Sequence, residues 1–184
     1  MNLNAWIVLA ALAAPSAHAV EYRTVLPKQS TIQFEFRQMG VPVKGHFKRF
    51  ATDMAFDPAR PEAARARIEI DLASIDAGSA EADEESAGKL WFNRSVYPKA
   101  VFVSSAVRAL GNNRFELRGT LTLKGTARDM TIPVTYIPGA NAATFDGGFV
   151  LRRLDFGIGE GMWSDVSAVA NEVQVKFRIA ATGK

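Results

Sequence analysis

The chain has 184 residues, a formal net charge of +3 and no cysteine. Disulfides, thiolate metal sites and thiol nucleophiles are therefore excluded, and the core alone must hold the fold. Lysine and arginine number 22 against 19 acids and are scattered among them, so the dense basic face that nucleic-acid binding needs is missing.

In chain order, Trp6 to Ala14 is an unbroken apolar run, and Ala17-His18-Ala19 has the small-x-small pattern of a signal-peptidase site. Residues 1–19 read as a cleaved signal peptide, although Met1 to Asn4 carries no Lys or Arg; an anchor that stays attached is the alternative. No Cys follows the run, so a lipoprotein anchor is not expected. Residues 20–184 leave roughly 165 positions, enough for one domain with a substantial core. No later segment is long and apolar enough to cross a bilayer as a helix. A soluble, periplasmic protein is expected.

From there the dominant signal is alternation with period two, the mark of strands with one buried face and one wet face. Ile32, Phe34 and Phe36 alternate with Gln33 and Glu35; Val41, Val43, Gly45 and Phe47 alternate with Lys44, His46 and Lys48. Ile68, Ile70 and Leu72 repeat the parity. A helix over Ala80 to Phe92 then interrupts the series, with Ser79 as its N-cap, acids in the first turn and Pro98 beyond it. Ala100–Leu110, Phe115–Lys124, Met130–Tyr136, Ala143–Leu154 and Glu172–Ile179 complete about eight strands, divided by turn residues such as Gly111-Asn112-Asn113 and Pro138-Gly139. Eight amphipathic strands bury one face either in a two-sheet sandwich or in an antiparallel barrel; the barrel is favoured.

The inward parity collects Phe34, Phe36, Phe47, Phe102, Phe115, Phe145, Phe149, Phe177 and Tyr136, with Gly45, Gly119 and Gly147 on the same faces. Inward glycines leave room for a cavity; equally, they permit bends around a solid aromatic core. If a cavity exists its walls are apolar, and a ligand must be mostly hydrocarbon, because burying an unpaired charge costs several kcal/mol.

Catalytic chemistry is sparse. After signal removal His46 is the only histidine and lies on the polar parity, so neither a zinc site nor a triad base is expected. Gly157-Ile158-Gly159-Glu160-Gly161 lacks the lysine and helix of a phosphate loop and reads as a plain loop. Asp83-Glu84-Glu85 reads as a solvated face, and Asn93-Arg94-Ser95 as a chance sequon. Lys44, Lys48, Arg49, Arg152 and Arg153 either meet a ligand headgroup at a rim or form a scattered solvated face.

Several ordered pieces resemble the YceI-like family of periplasmic lipid-binding proteins. They are Val43-Lys44-Gly45-His46-Phe47, Phe56-Asp57-Pro58, Ile70-Asp71-Leu72-Ala73-Ser74-Ile75, Leu90-Trp91-Phe92, Tyr97 to Phe102, Gly119 to Gly125, Met130 to Val134, Arg153 to Ile158 with Trp163, and Asn171-Glu172-Val173. Two stretches depart from the family's usual pattern: Ala82-Asp83 with Lys89-Leu90 in the helix, and Trp91-Phe92-Asn93 in place of Phe-Phe-Asp. The resemblance implies an all-β, extended eight-stranded, lipocalin-like antiparallel barrel with one short helix. It implies binding, transport or storage of a polyisoprenoid or quinone-like lipid, with a cytochrome b561-like membrane protein as a possible partner and no catalytic residues. The expected wall of the ligand site is Phe34, Phe36, Phe47, Phe102, Leu121, Tyr136, Phe149 and Phe177. The competing readings are an enzyme acting on an apolar substrate, for which parity offers only Tyr136 and Ser104 inside, and a stress or interaction protein with a filled barrel.

Overall fold

The structure, a computed structural model, describes residues 20–183; the expected signal peptide lies outside the described residues. Eleven strands form one antiparallel sheet: β1 Tyr22–Val25, β2 Thr31–Gln38, β3 Val41–Phe47, β4 Phe50–Ala55, β5 Arg65–Asp71, β6 Ile75–Asp76, β7 Lys99–Gly111, β8 Arg114–Leu123, β9 Thr126–Ile137, β10 Ala143–Arg152 and β11 Glu172–Gly183. Their order is β4-β5-β7-β8-β9-β10-β11-β2-β3-β6, with β1 paired to the end of β11. The eight runs read from alternation are all present. The three extra strands are short, and β4, Phe50-Ala51-Thr52-Asp53-Met54-Ala55, mixes polar and apolar residues on both parities.

The sheet curls into a half-barrel, and no continuous ladder runs right round it among the described residues. β3 pairs with β2; after the corner at Lys48-Arg49 the same chain changes partner, and β4 pairs with β5. The corner is held from the side, where Lys48 N donates to Ser74 O (2.9 Å), Arg49 N to Ser74 Oγ (2.9 Å) and Asp71 N to Arg49 O (3.1 Å). One bent run thus serves two sides of the curl. At the far end the gap is spanned by Tyr22 and Phe56, whose backbones exchange hydrogen bonds of 2.8 and 3.1 Å.

A second interruption lies between β9 and β10. Their ladder joins only Val134–Ile137 with Gly147–Thr144. Beyond Gly147-Gly148 the strands part, while β9 stays paired with β8 over Thr126–Thr135 and β10 with β11 over Ala143–Arg152. Across the opening the Arg128 guanidinium reaches Asp155 O at 3.3 and 3.4 Å.

The helix α1, Ala80–Ala87, is shorter than the expected Ala80–Phe92. Ser79 caps it as expected, its Oγ accepting from Ala82 N at 3.2 Å. Gly88, an unfavourable helix residue, takes an extended conformation and ends it. The consequence is functional, because Trp91 and Phe92 are freed to turn towards the interior.

The two ends of the half-barrel are filled differently. At the end near β1, the rings of Tyr22, Phe56, Phe115, Tyr136 and Phe145 pack with centroids 5.0–6.5 Å apart, mostly edge to face, and all are buried. Within this plug the Tyr22 and Tyr136 hydroxyls share a hydrogen bond of 3.0 Å, and burial raises the Tyr136 pKa above that of an ordinary phenol. Either tyrosine changed singly to phenylalanine strands the other hydroxyl and is expected to cost about 1–2 kcal/mol, whereas the double change is nearly neutral. Urea denaturation of the three variants checks this; additive losses would contradict it.

Candidate functional site

At the opposite end the interior is hollow. A cavity of about 570 Å³ is walled by β2, β3, β5, β7, β8, β10 and β11. Its polar mouth is formed by α1, with Ser79, Glu81, Glu85 and Ser86, and by Trp163 from the loop after β10. The aromatic wall is a cluster: Phe34 lies 6.3 Å from Phe36, roughly stacked, and 5.4 Å from Phe47. Phe34, Phe36, Phe47, Phe149, Val173 and Val175 are only half-buried although they point inward, because they face empty space instead of partners. Their contrast with the fully buried plug shows where burial remains available to a guest.

The eight expected wall residues divide by position. Phe34, Phe36, Phe47, Leu121 and Phe149 line the large cavity. Phe177 lines a second void of about 70 Å³ beside the plug, Tyr136 belongs to the plug, and Phe102 is buried between. The inward glycines do not open space, as one reading of the sequence had it. Gly45, Gly119 and Gly147 are each covered by a phenyl ring, those of Phe34, Phe102 and Phe177 respectively, and a methyl group at any of them would collide with that ring. A ring seated on a glycine lies flat against the wall, which is how so many phenylalanines coexist with a lumen. Gly119→Ala also meets the Val103 carbonyl, a backbone group that cannot turn aside. It is expected to destabilise the fold by about 1–3 kcal/mol, and a thermal melt unchanged from wild type would contradict the packing described.

Of the basic candidates, Lys44, Lys48 and Arg49 sit on the outside beside Glu35 (3.9 Å), Asp76 (2.9 Å) and Asp71 (2.8 Å). Their hydrogen bonds hold the Asp71 and Asp76 carboxyls below the usual carboxylate range. Arg152 is exposed. Arg153 is neither at a solvated rim nor on a solvated face: it is 2 % exposed and forms part of the cavity boundary. Its five N–H groups are met by five backbone carbonyls: Nε by Ala170 (3.0 Å), Nη1 by Ile158 and Gly159 (2.8 and 2.9 Å), and Nη2 by Trp163 and Val169 (2.6 Å each). Burial lowers its pKa from the ordinary arginine value. The 157–161 loop therefore closes over the guanidinium, and Gly159, at φ +75°, brings its backbone against Arg153 where a side chain would not fit.

Trp91 lies beneath this cation, with the guanidinium carbon 5.7 Å from its ring and the Trp163 ring 5.6 Å away. Its Nε1 is buried with no hydrogen-bond partner. Trp163 ties the mouth together, its Nε1 donating to Glu85 Oε1 at 2.9 Å. Asp83, expected to be solvated, is half-buried and accepts from Ala77 N at 2.6 Å, fixing the turn into α1. Alternation did not reveal Trp91, Trp163 or Arg153 as cavity residues because all three stand outside the regular strands; large aromatics in loops of an otherwise period-two chain were the available signal.

For catalysis the geometry offers little. His46 is exposed. Ser104 Oγ accepts from Ala66 N at 2.8 Å, a structural bond. Asp57, the one buried carboxylate among the described residues, caps Ala59 N and pairs with Arg60, and lines neither void. No cluster of three or more metal-ligating side chains occurs among the described residues.

A curled antiparallel sheet, plugged at one end and hollow and apolar at the other, defines a barrel-type protein built around an internal cavity. The YceI-like domain matches residues 24–181, and the chain belongs to that family. It is 31% identical over 159 residues to a UPF0312 protein of Azotobacter vinelandii, covering 81% of this chain and 82% of that one. Among solved structures it is similar to BcnA of Burkholderia cenocepacia, with 42% identity, a TM-score of 0.84, and coverage of 86% of this chain and 99% of that one. The fold is shared at 14% identity, with a TM-score of 0.68 over 91% of this chain and all of the other, by a polyisoprenoid binding domain from Saccharophagus degradans implicated in plant cell wall breakdown.

Proposed function

We propose that the protein binds an apolar lipid of the isoprenoid class in the large cavity, and carries or stores it in the periplasm after export directed by residues 1–19. The observation that carries the reading is the 570 Å³ void walled by half-buried phenylalanines and valines. Each methylene taken from water into such a wall contributes about 0.8 kcal/mol, so several prenyl units suffice for tight binding without polar contacts. The family, and the polyisoprenoid binding domain that shares the fold, support this class of ligand. The void argues against a filled barrel, and the carboxylates at its mouth, Glu81 and Glu85, are exposed, with Glu85 accepting from Trp163 Nε1.

Organic extraction of protein purified from a membrane-rich host, followed by mass spectrometry, tests the reading. A stoichiometric prenyl lipid is expected; an empty extract from protein that also fails to take up prenyl alcohols would overturn it. N-terminal sequencing of the periplasmic fraction is expected to begin at Val20, and a mature protein starting at Met1 would remove the export proposal.

A further inference from the structure

We infer that the cavity measures the length of its guest, and that Phe177 and Phe102 form the stop. The inference rests on the isoprenoid reading and adds a specificity determinant to it. Two voids occupy one lumen, about 570 Å³ at the mouth and about 70 Å³ beside the plug. Strand by strand, the lining passes from one void to the other across a single layer of residues. On β11 Val175 faces the large void and Phe177 the small one; on β5 the change falls between Ile70 and Ile68.

On β8 the large void ends at Leu121 and the small one begins at Leu117, with Gly119 between. On β10 the corresponding residues are Phe149 and Phe145, with Gly147 between. Both glycines of the dividing layer are the ones covered by a ring, Gly119 by Phe102 and Gly147 by Phe177. Cross-strand neighbours complete the layer, Ile32 opposite Phe177 and Ile68 opposite Phe102. The partition is thus one side chain thick and rests on two paired ring–glycine seats.

Its position sets a capacity. A chain that fills the 570 Å³ void down to the partition has all of its units buried. A longer chain leaves its remaining units outside the mouth, where they gain no burial. Removing the Phe177 ring joins the two voids and adds room for a longer chain.

The test uses the mature protein and a ladder of all-trans prenyl alcohols, from geraniol through farnesol and geranylgeraniol to homologues of about twelve units, presented in dilute detergent. Binding is read from the fluorescence of Trp91 and Trp163 at the cavity. For wild type, affinity is expected to rise by roughly tenfold or more per isoprene unit up to the homologue that fills the void and then to level off. Phe177→Ala moves the plateau to a longer homologue. Phe177→Leu, which keeps more of the core, moves it in the same direction by less, and Gly147→Ala, which pushes the ring into the lumen, moves it shorter. A wild-type affinity that keeps climbing through the longest homologue overturns the inference, as does a plateau unchanged in both Phe177 variants. Failure of every alcohol to bind wild type instead takes down the isoprenoid reading, and the stop with it.

Discussion

Arg153→Met is expected to lower stability by about 4 kcal/mol or more, the largest loss of any single change described here. The guanidinium meets the carbonyls of Ala170, Ile158, Gly159, Trp163 and Val169, which come from two stretches of the loop between β10 and β11. Each buried acceptor left without a donor costs about 1–3 kcal/mol, and water admitted to the hole recovers only part of this. Methionine replaces the stem and none of the donors. Lysine is little better, since a compact ammonium carries three donors and lacks the planar fork that reaches five acceptors. Urea denaturation followed by circular dichroism measures the loss. A difference below about 1 kcal/mol would show that the carbonyls find other partners and that Arg153 does not hold the loop.

The second large effect falls on the ligand and spares the fold. With Phe34 and Phe36 both changed to aspartate, lipid retention is expected to drop by at least a thousandfold while the melting temperature changes little. The two rings sit on one face of β2, stacked 6.3 Å apart on the cavity wall, and are half-buried because the space before them is empty. An empty lumen hydrates the new carboxylates at small cost. A prenyl chain would have to strip that water from both, at several kcal/mol for each ion. Extraction and mass spectrometry of the purified variant give the answer. A folded variant that keeps its lipid would mean that β2 does not face the ligand.

Much of the fold is legible in the sequence, because period-two alternation is a local signal that each strand carries alone. Phe115–Lys124 and Glu172–Ile179 could be assigned without knowing their neighbours. The strands that escaped, β1, β4 and β6, are four, six and two residues long, too short or too mixed to show a period. Their pairing is decided by the corner at Lys48-Arg49 and the gap at Tyr22, which are tertiary. The helix starts where Ser79, a cap residue, announces it, and stops at Gly88, short of the expected Phe92.

The site was legible by halves. Parity gives the side of the strand and not the height along the barrel, so Phe34, Phe36, Phe47, Leu121 and Phe149 could not be separated from Phe177 and Tyr136, which share their inward facing and sit at another level. The glycines were ambiguous for a related reason. Whether an inward glycine is a hole or a seat depends on which cross-strand ring reaches it, and that is a matter of register. Arg153 follows an exposed Arg152 at the end of β10, and nothing local distinguishes the buried one from its neighbour.

The parting of β9 from β10 beyond Gly147-Gly148 leaves a seam that runs beside the hollow half and stops at the plugged half. Along this seam the two flanks are tied by the Arg128 side chain to Asp155 O and by no backbone rung, so they can spread or draw together with no rung broken. For the proposed isoprenoid guest, such a seam would serve as an expansion joint, where a fully laddered tube would admit only a slim chain. In an isotope-exchange experiment, the amides of residues 128–132 that face the seam would then trade their hydrogens well before those of the plug.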